Sequence, residues 1–309
     1  MRRSDGDIKG EMQSIRVLSW NVASRTACDK QVAAIYSRRL DIVALQEVTE
    51  RTAQPFEKAI IEIGLKHIVN SFELASDRNV LTGPRRYGEI IASKWPRQVL
   101  PPATDFVPWP ARLLSAVIAS PLGRIELHAT HIPPGSSNGW VKIDVLEGIY
   151  KYLARGVPHP RILCGDFNTP QAETPKGEIV TWGQRIAKGR KVVLCRWRRG
   201  GNGERWDQAE RNILKGLAQF DLFDVYRQLH GYTAKGFSWY TIHAGKKRGR
   251  RFDHVLASRS LNAVECRYLH SFRELKLSDH SPIEVHFRPT LARRGRNSET
   301  GENGGSRSR

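Results

Sequence analysis

Short apolar segments that end in polar residues recur along most of the chain, and they predict β-strands. Residues 123–132 alternate between apolar and polar side chains, as a strand with one buried face does, whereas residues 162–164 are continuously apolar, as a fully buried strand is. The predicted strands are residues 15–20, 41–45, 66–74, 87–93, 112–119, 123–132, 162–164, 237–242, 251–258, 264–269 and 283–287.

Apolar residues at helical spacing separate several of these strands. In residues 139–153, Val141, Val145 and Ile149 lie on one side of an amphipathic helix. The other predicted helices are residues 29–39, 52–63 and 206–220. Because strands and helices interleave without an internal repeat or a linker, we predict one domain over residues 15–287, a sandwich of two mixed β-sheets with helices packed outside.

Four segments depart from this pattern. Residues 1–14 are polar and predict a flexible arm, and residues 288–309, mostly Arg, Gly, Ser, Asn and Glu, predict a disordered tail. Residues of about 171–205 are rich in Gly, Arg and Lys and contain two short β-like runs, so we expect a basic insert that forms a hairpin or a loop. The run GKKRGR at 245–250 predicts a basic loop.

The charge of the chain is strongly unbalanced. Lys and Arg number 50 against 31 Asp and Glu, which gives a formal net charge of +19. Such a surface attracts polyanions, whether nucleic acid or an anionic membrane face. Solubility or habitat is the alternative explanation of this charge, of which the tail from Arg288 contributes +4. No amphipathic basic helix suits a membrane surface, so we expect no stable membrane association.

Hydrophobic content and cysteine usage narrow the class of protein. Hydrophobic residues make up 39% of the chain, enough for a substantial core. None of the four cysteines forms a CxxC pair and no Cys/His spacing suits zinc, so we expect neither a disulfide scaffold nor a zinc site. We see no signal sequence and no membrane-spanning segment. A cytoplasmic protein, and a monomer, is the expectation.

Polar residues that follow the apolar strands form a candidate site. Each of them has an ordinary explanation as a helix cap, an ion-pair partner or a core histidine. Together they are carboxylates, amides and imidazoles at strand ends, which gather at one edge of a sheet, where ligands bind. This set suits a hard divalent cation, Mg²⁺ or Mn²⁺ rather than zinc, together with a phosphate. Its members are Asn21, Glu47, His131, Asp166, Asn168, Asp253, Asp279 and His280.

Six short motifs carry a family resemblance, and they follow one another in order. They are WNV at 20–22, LQEV at 45–48, THIP at 130–133, GDFN at 165–168, RFDHVLAS at 251–258 and LSDHSPI at 277–283. With them the chain resembles the endonuclease/exonuclease/phosphatase superfamily, which includes exonuclease III-type AP endonucleases, pancreatic-type deoxyribonuclease and neutral sphingomyelinases. The resemblance implies a four-layered α/β (α+β) sandwich, deoxyribonuclease I-like, with two packed mixed β-sheets flanked by helices.

The resemblance also implies a metal site. Glu47 corresponds to the principal ligand of Mg²⁺, with Mn²⁺ as an alternative, and Asp279 and Asn21 lie nearby on the metal or the phosphate. The cation would neutralise the phosphate and steady the leaving oxygen.

Roles for the remaining polar residues follow from the same resemblance. Asp166 is expected to align and help to deprotonate the attacking water, with Asn168 beside it. His280 is expected to donate a hydrogen bond to a phosphate oxygen, and Asp253 to hold the His280 imidazole in the correct tautomer. The implied reaction is in-line hydrolysis of a phosphoester.

His131 separates two branches of the superfamily. The exonuclease III-type AP endonucleases have a tyrosine at this place, whereas the deoxyribonuclease and sphingomyelinase branches have a histidine, which can protonate the leaving oxygen. Glu89 lies where the deoxyribonuclease branch has a glutamate paired with that histidine. We therefore hypothesise a Glu89–His131 pair that raises the pKa of the imidazole. The alternative is that Glu89 is a solvent-facing strand residue.

Residues 236–242 resemble instead the DNA-repair branch, in which an aromatic-rich stretch lines the substrate pocket. Trp239 is then a stacking surface for a sugar or base, or else an aromatic residue of the strand core. Lys247, Arg250 and Arg251 lie just before Asp253 and are expected to bind the substrate.

These observations favour a Mg²⁺-dependent nuclease, with DNA as the favoured substrate. A phosphatase or a lipid phosphodiesterase of the same superfamily is the alternative, as is a non-catalytic nucleic-acid-binding module. DNA versus RNA, and endonuclease versus exonuclease, stay open.

Overall fold

The apolar runs of the sequence form β-sheets in the computed structural model, which describes residues 13–188, 192–195, 202–243 and 245–288. The expected arm (1–14) and tail (288–309) lie almost wholly outside these residues. The same holds for the most basic part of the expected insert, namely Arg190, Lys191, Arg196, Arg198 and Arg199.

Strands and helices alternate through the described part of the chain. The strands are β1 Ile15–Asn21, β2 Ile42–Thr49, β3 His67–Asn70, β4 Tyr87–Ser93, β5 Arg97–Val99, β6 Leu113–Ser120, β7 Gly123–His131, β8 Arg161–Asp166, β9 Ala172–Glu173, β10 Ile179–Val180, β11 Gln184–Ile186, β12 Val192–Leu194, β13 Phe223–Asp224, β14 Trp239–His243, β15 Lys246–Arg250, β16 Asp253–Ala257, β17 Ala263–Tyr268 and β18 Ile283–Phe287. The α-helices are α1 Cys28–Tyr36, α2 Glu50–Glu62, α3 Gly135–Asn138, α4 Val141–Leu153, α5 Gly203–Leu214, α6 Val225–His230 and α7 His270–Glu274.

Two six-stranded sheets account for most of these strands within the described residues. Their strand orders are β17-β18-β1-β2-β4-β3 and β13-β16-β8-β7-β6-β5. Each sheet contains one parallel pair at its centre, β1 with β2 and β7 with β8, among antiparallel neighbours. In the parallel pairs, Asn21 lies opposite Gln46 and His131 lies opposite Asp166. The polar ends of the central strands therefore meet at one edge of each sheet.

Apolar side chains fill three spaces between four layers. Ile42 and Ala44 of the first sheet and Ala129 and Cys164 of the second belong to the core between the sheets. On the outer side of the first sheet, strand residues pack with helices α1 and α2. On the outer side of the second sheet, strand residues pack with helices α4 and α5. This arrangement confirms the predicted sandwich of two mixed sheets with helices outside.

Two segments differ from the sequence-based expectation. The run at 245–250, predicted as a loop, forms strand β15, which pairs with β14 in register from Trp239–Arg250 to His243–Lys246. Residues 222–229, for which the sequence predicts a short capped turn, form strand β13 followed by helix α6. The high Lys and Arg content hid the β15 strand, because its strand character comes from cross-strand hydrogen bonds rather than from apolar side chains. Among the described helices, none combines the length and the apolar character that crossing a bilayer requires.

Gly165 allows strands β7 and β8 of the second sheet to approach each other next to the polar edge. Its φ is +143°, and a Cβ atom there would lie 1.8 Å from the carbonyl oxygen of Thr130 on strand β7. This oxygen belongs to the backbone of the neighbouring strand, so it cannot move aside. Only a glycine lets strand β8 approach β7 at this point.

We expect Gly165→Ala to lower the free energy of unfolding by about 3 kcal/mol, because the added methyl group forces the two strands apart. Urea denaturation measures the change. Gly156→Ala is the matched control, since nothing lies within 4 Å of a Cβ at Gly156. Equal stability of the two variants would contradict this account of the β7–β8 contact.

Candidate active site

A β-bulge brings Glu47 to the polar edge of the first sheet. The register between β2 and β4 shifts between Leu45 and Val48, and Glu47 itself has a φ of +55°. A non-glycine residue with this backbone conformation is strained, and such strain is concentrated at functional positions. The bulge turns the Glu47 side chain out of the sheet, and 22% of that side chain remains exposed.

Asn21 joins the edges of the two sheets. Its Nδ2 atom donates to Glu47 Oε1 at 3.0 Å and to Asp166 Oδ2 at 2.9 Å. Its Oδ1 atom accepts from the backbone N–H of Ala23 at 2.8 Å, which fixes the orientation of the amide. Both carboxylates are therefore held by a single buried side chain at the end of strand β1.

Asp253 and His280 form a buried pair next to Asp166. His280 Nδ1 lies 2.7 Å from Asp253 Oδ2, and His280 Nε2 lies 3.8 Å from Asp166 Oδ2. The segment before His280 is tied to strand β1, because Ser278 Oγ donates to the carbonyl oxygen of Asn21 at 2.6 Å. The imidazole thus lies between two carboxylates with its Nε2 atom toward the cavity.

The charges of this cluster are mutually dependent. Burial by itself lowers the pKa of His280, but Asp253 and Asp166 outweigh burial and raise that pKa to about 10. Burial raises the pKa of Asp166 to about 7, although His280 acts in the opposite direction. His280 is consequently an imidazolium at neutral pH, able to donate from both ring nitrogens.

His131 has a different partner from the one that the sequence predicted. The Arg112 Nη1 atom contacts His131 Nδ1, and no hydrogen bond joins the Glu89 carboxylate to the His131 ring. An arginine has no acceptor atom, so it donates to Nδ1 and leaves the ring proton on Nε2. Burial, with Arg112 and His280, holds the pKa of His131 well below its usual value. The hypothesis of a Glu89 pair that raises this pKa is therefore wrong.

Glu89 does not face solvent either. It is fully buried on strand β4, and burial raises the pKa of its carboxyl group well above the ordinary range. Arg112 interacts with it electrostatically, and burial lowers the pKa of that arginine. The sequence could not reveal Arg112 as the intervening residue, because Arg112 ends the short turn just before strand β6, which belongs to the other sheet.

A cavity of about 410 Å³ opens above these side chains. Most of the sequence-predicted residues line it, namely Glu47, Asp166, Asn168, Trp239, Arg250, Asp279 and His280. Three further predicted residues lie directly behind the lining and contact it. Asn21 donates to Glu47 and Asp166, His131 Nε2 lies 3.4 Å from Glu47 Oε1, and Asp253 pairs with His280. Trp182 and Lys142 also line the cavity, although sequence reasoning did not single them out.

Aromatic rings form one wall of this cavity. Trp239 stacks on Phe252 with 5.4 Å between ring centroids, and its Nε1 atom donates to Asp279 Oδ2 at 3.1 Å. The guanidinium of Arg250 lies 5.2 Å from the ring centroid of Trp182. Trp239 therefore lines the cavity, rather than the strand core.

Arg251 is not available to a substrate. It is buried, and its guanidinium binds Glu173 Oε1 and Asp224 Oδ2, each at 2.7 Å, and contacts His254 Nδ1 at 3.0 Å. The expectation that Arg251 binds substrate is wrong, because these partners satisfy it inside the protein. It acts as a structural ion-pair centre that anchors the segment before Asp253.

Lys247 is exposed but lies outside the cavity. On the β14–β15 hairpin it pairs with Ile242, one position out of phase with the Trp239–Arg250 pair that lines the cavity. Because side chains alternate between faces along a strand, Lys247 belongs to the outer face. Its Nζ atom lies 4.1 Å from the ring centroid of Tyr240.

The donor atoms at the cavity fit a hard divalent cation. Two sets of side chains bring their oxygen and nitrogen atoms within 4.8 Å of one another, namely Glu47, His131 and Asp166, and Asp166, Asp253 and His280. In the protonation states given above both histidines donate hydrogen bonds, so the atoms of these sets that can bind a cation are the carboxylate oxygens. Among the described residues, the buried His131 Nε2 has no hydrogen-bond partner, although it lies 3.4 Å from Glu47 Oε1. A buried polar atom without a partner beside carboxylates marks a place for a bound group. With its proton on Nε2, His131 faces that group as a donor.

Comparisons with known proteins agree with this arrangement. A family-wide sequence model, described as the Endonuclease/Exonuclease/phosphatase family, matches residues 18–280. A comparison with curated proteins gives no significant match.

Solved structures share the fold over most of their length. An AP endonuclease from Archaeoglobus fulgidus has a TM-score of 0.64 at 23% identity, covering 88% of this chain and 99% of that chain. An endonuclease/exonuclease/phosphatase from Beutenbergia cavernae has a TM-score of 0.60 at 18% identity, covering 90% and 72%. A 3' phosphatase from Neisseria, bound to a product DNA hairpin, has a TM-score of 0.59 at 20% identity, covering 88% and 99%. At these identities the likeness shows the fold alone.

The ion pairs of Glu173 predict a dependence of stability on pH. Burial favours the protonated acid, but Arg251 and Arg227 outweigh it and lower the pKa of Glu173 to about 2. A depressed folded-state pKa adds stability above the unfolded-state pKa of about 4.3, and this stability is lost as the pH falls toward 2.

We therefore expect Glu173→Gln to be less stable than the wild-type protein at pH 6, with a gap that shrinks by about 2 kcal/mol at pH 3. Urea denaturation at both pH values measures it. Glu178→Gln serves as the control, because Glu178 is exposed on the same segment. A constant gap at both pH values would show that the ion pairs of Glu173 do not set its pKa.

Proposed function

Because the chain belongs to the Endonuclease/Exonuclease/phosphatase family, we propose that it is a Mg²⁺-dependent phosphodiester hydrolase that acts on nucleic acid, with DNA as the favoured substrate. The observation that carries this proposal is the meeting of Glu47, Asp166 and the Asp253–His280 pair at one cavity. Carboxylates and an imidazolium within one cleft suit hydrolysis of a phosphodiester.

Asp166 is the residue that we assign to the attacking water. Asn21 donates to its Oδ2 atom, and the backbone N–H of Asn168 donates to its Oδ1 atom at 2.8 Å. The carboxylate is thus fixed and can accept a proton from a water in the cavity while the water oxygen bonds to phosphorus. The bond between phosphorus and the leaving oxygen breaks in the same reaction, and that oxygen keeps the electron pair and gains a proton from solvent. A raised pKa makes this carboxylate a better base than an exposed aspartate.

His280 is the residue that we assign to the phosphate. As an imidazolium it donates from Nδ1 to Asp253, and its Nε2–H is available to a phosphate oxygen. Negative charge that develops on that oxygen strengthens the hydrogen bond, so the interaction favours the transition state. His131, as a neutral ring with its proton on Nε2, is assigned to a second hydrogen bond near the leaving oxygen.

Glu47 would hold a divalent cation, with Asp279 at the rim and Asn21 orienting Glu47. When bound, Mg²⁺ supplies neutralisation of the phosphate charge. Glu47 fits this role because its carboxylate is partly exposed. Carboxylate oxygens are also the ligand atoms that Mg²⁺ prefers.

The β14–β15 hairpin supports nucleic acid as the substrate. On the face that lines the cavity, Arg250 pairs with Trp239 and Arg248 pairs with Thr241. Cationic side chains can follow a phosphate backbone, and Trp182 and Trp239 offer rings on which a base or sugar can stack.

We expect hydrolysis of a duplex or single-stranded DNA with Mg²⁺ or Mn²⁺ and none with EDTA. Asp166→Asn and Glu47→Ala should each lower kcat by at least about 1000-fold, because they remove the proton acceptor and the principal metal ligand. Cleavage of DNA, RNA, a phosphatidyl lipid and a small phosphomonoester is measured side by side. Asp105→Asn, an exposed change away from the cavity, is the control.

Turnover of the lipid or the phosphomonoester, without turnover of nucleic acid, would contradict the proposed substrate class. DNA binding by the wild-type protein without any metal-dependent cleavage would contradict the proposed activity itself.

The hairpin charges should set the salt dependence of DNA binding. We expect the triple variant Lys246→Gln, Arg248→Gln and Arg250→Gln, whose residues share the face that lines the cavity, to reduce the slope of log Kd against log salt by about 2 to 3, because each neutralised contact releases one counterion fewer. Fluorescence anisotropy on the Asp166→Asn background measures it. The control triple Arg39→Gln, Lys66→Gln and Arg124→Gln changes charge equally at the opposite strand ends. Equal slopes in the two triples would rule out the hairpin as the DNA contact.

A further inference from the structure

A fully buried carboxylate lies behind the wall of the cavity. Glu210 on helix α5 accepts four hydrogen bonds. Its Oε1 atom accepts from Lys142 Nζ at 2.6 Å and from Trp206 Nε1 at 2.8 Å. Its Oε2 atom accepts from Thr169 Oγ1 at 2.7 Å and from the backbone N–H of Trp182 at 2.8 Å. One side chain thus ties together helix α4, the insert and the loop after strand β8.

Two of these partners continue to the backbone of Asn168. Lys142 Nζ donates to the carbonyl oxygen of Asn168 at 3.0 Å, and Trp182 Nε1 donates to the same oxygen at 3.1 Å. Asn168 has a φ of +51°, a left-handed conformation that costs free energy for a residue with a side chain. Two donors on a single carbonyl oxygen hold the peptide group in this orientation.

Asn168 in turn orients Asp166. Its backbone N–H donates to Asp166 Oδ1 at 2.8 Å, and its Nδ2 atom lies 3.3 Å from Asp166 Oδ2 and 2.9 Å from the carbonyl oxygen of Ile132. The carbonyl group and the N–H of Asn168 lie in successive peptide groups, so a change in the φ and ψ of Asn168 would displace the N–H and the side chain that hold the Asp166 carboxylate. Small misplacements of a reacting group reduce rate more than binding.

We propose that Glu210 is a positioning residue, which acts through Lys142 and Trp182 to hold Asn168, and through Asn168 the Asp166 carboxylate. This inference rests on the proposed function, in which Asp166 accepts the proton from water. It gives the insert a role in catalysis, because Trp182 contacts both Glu210 and Asn168.

Glu210→Gln tests the inference with little change in volume. The amide has one acceptor oxygen in place of two, so one side of the four-donor arrangement loses its acceptor. We expect kcat on DNA to fall about 10- to 100-fold while KM stays within about threefold, because the substrate-contacting residues are unchanged. Glu147→Gln is the matched control: Glu147 on α4 binds Arg205 on α5, joining the same two helices at an exposed position.

Trp182→Phe provides a second variant should Glu210→Gln fail to fold. It keeps an aromatic wall but lacks the N–H that donates to Asn168, so kcat should fall about threefold to tenfold while the urea midpoint moves little. Both folded variants with kcat within about twofold of the wild-type protein would overturn the proposal, as would an equal loss in Glu147→Gln.

A readout without turnover separates this inference from the proposed function. In a protein with isotope-labelled asparagine, the side-chain amide signals of Asn168, assigned with Asn168→Asp, should shift in Glu210→Gln and in Trp182→Phe but not in Glu147→Gln. Unmoved signals in the first two variants would refute the positioning role. If the wild-type protein cleaves no nucleic acid but the signals shift in the first two variants, the proposed function is refuted and the positioning contact is not.

Discussion

The contact of His280 with two buried carboxylates is the interaction on which the rest of the site depends. Asp253 Oδ2 lies 2.7 Å from Nδ1 and Asp166 Oδ2 lies 3.8 Å from Nε2, so the imidazolium lies between two carboxylates. Its charge opposes the rise in the pKa of Asp166 that burial causes.

Topology makes this contact possible. Each sheet has a parallel pair at its centre, and the ends of both pairs lie at the same side of the sandwich, so Asn21 can bind Glu47 of its own sheet and Asp166 of the other. Strand β16 pairs with β8 in a register that sets Asp253 opposite Asp166. The ionisable groups therefore lie on the rigid sheets, where their positions relative to one another are fixed.

Connecting segments carry a different part of the chemistry. The β14–β15 hairpin and the insert supply the rings of Trp239 and Trp182 and the charge of Arg250, which form the wall of the cavity. Buried polar contacts fasten these segments to the sandwich. Glu210, paired with Lys142, accepts a hydrogen bond from the backbone of Trp182 in the insert, and Arg251 binds Glu173 and Asp224. Loops held in this way can shape a substrate site without disturbing the carboxylates beneath it.

The sequence by itself determined the sandwich of mixed sheets and the polar residues at strand ends, because strand periodicity and the ordered motifs are local properties of the chain. It did not determine the partners of those residues. Arg112 takes the position expected for Glu89 beside His131, Arg251 turns inward, and Trp182 joins the wall of the cavity. These outcomes depend on contacts between segments far apart in the chain. Only the packing of the two sheets and the insert decides whether a charged side chain is exposed to solvent or forms a buried ion pair.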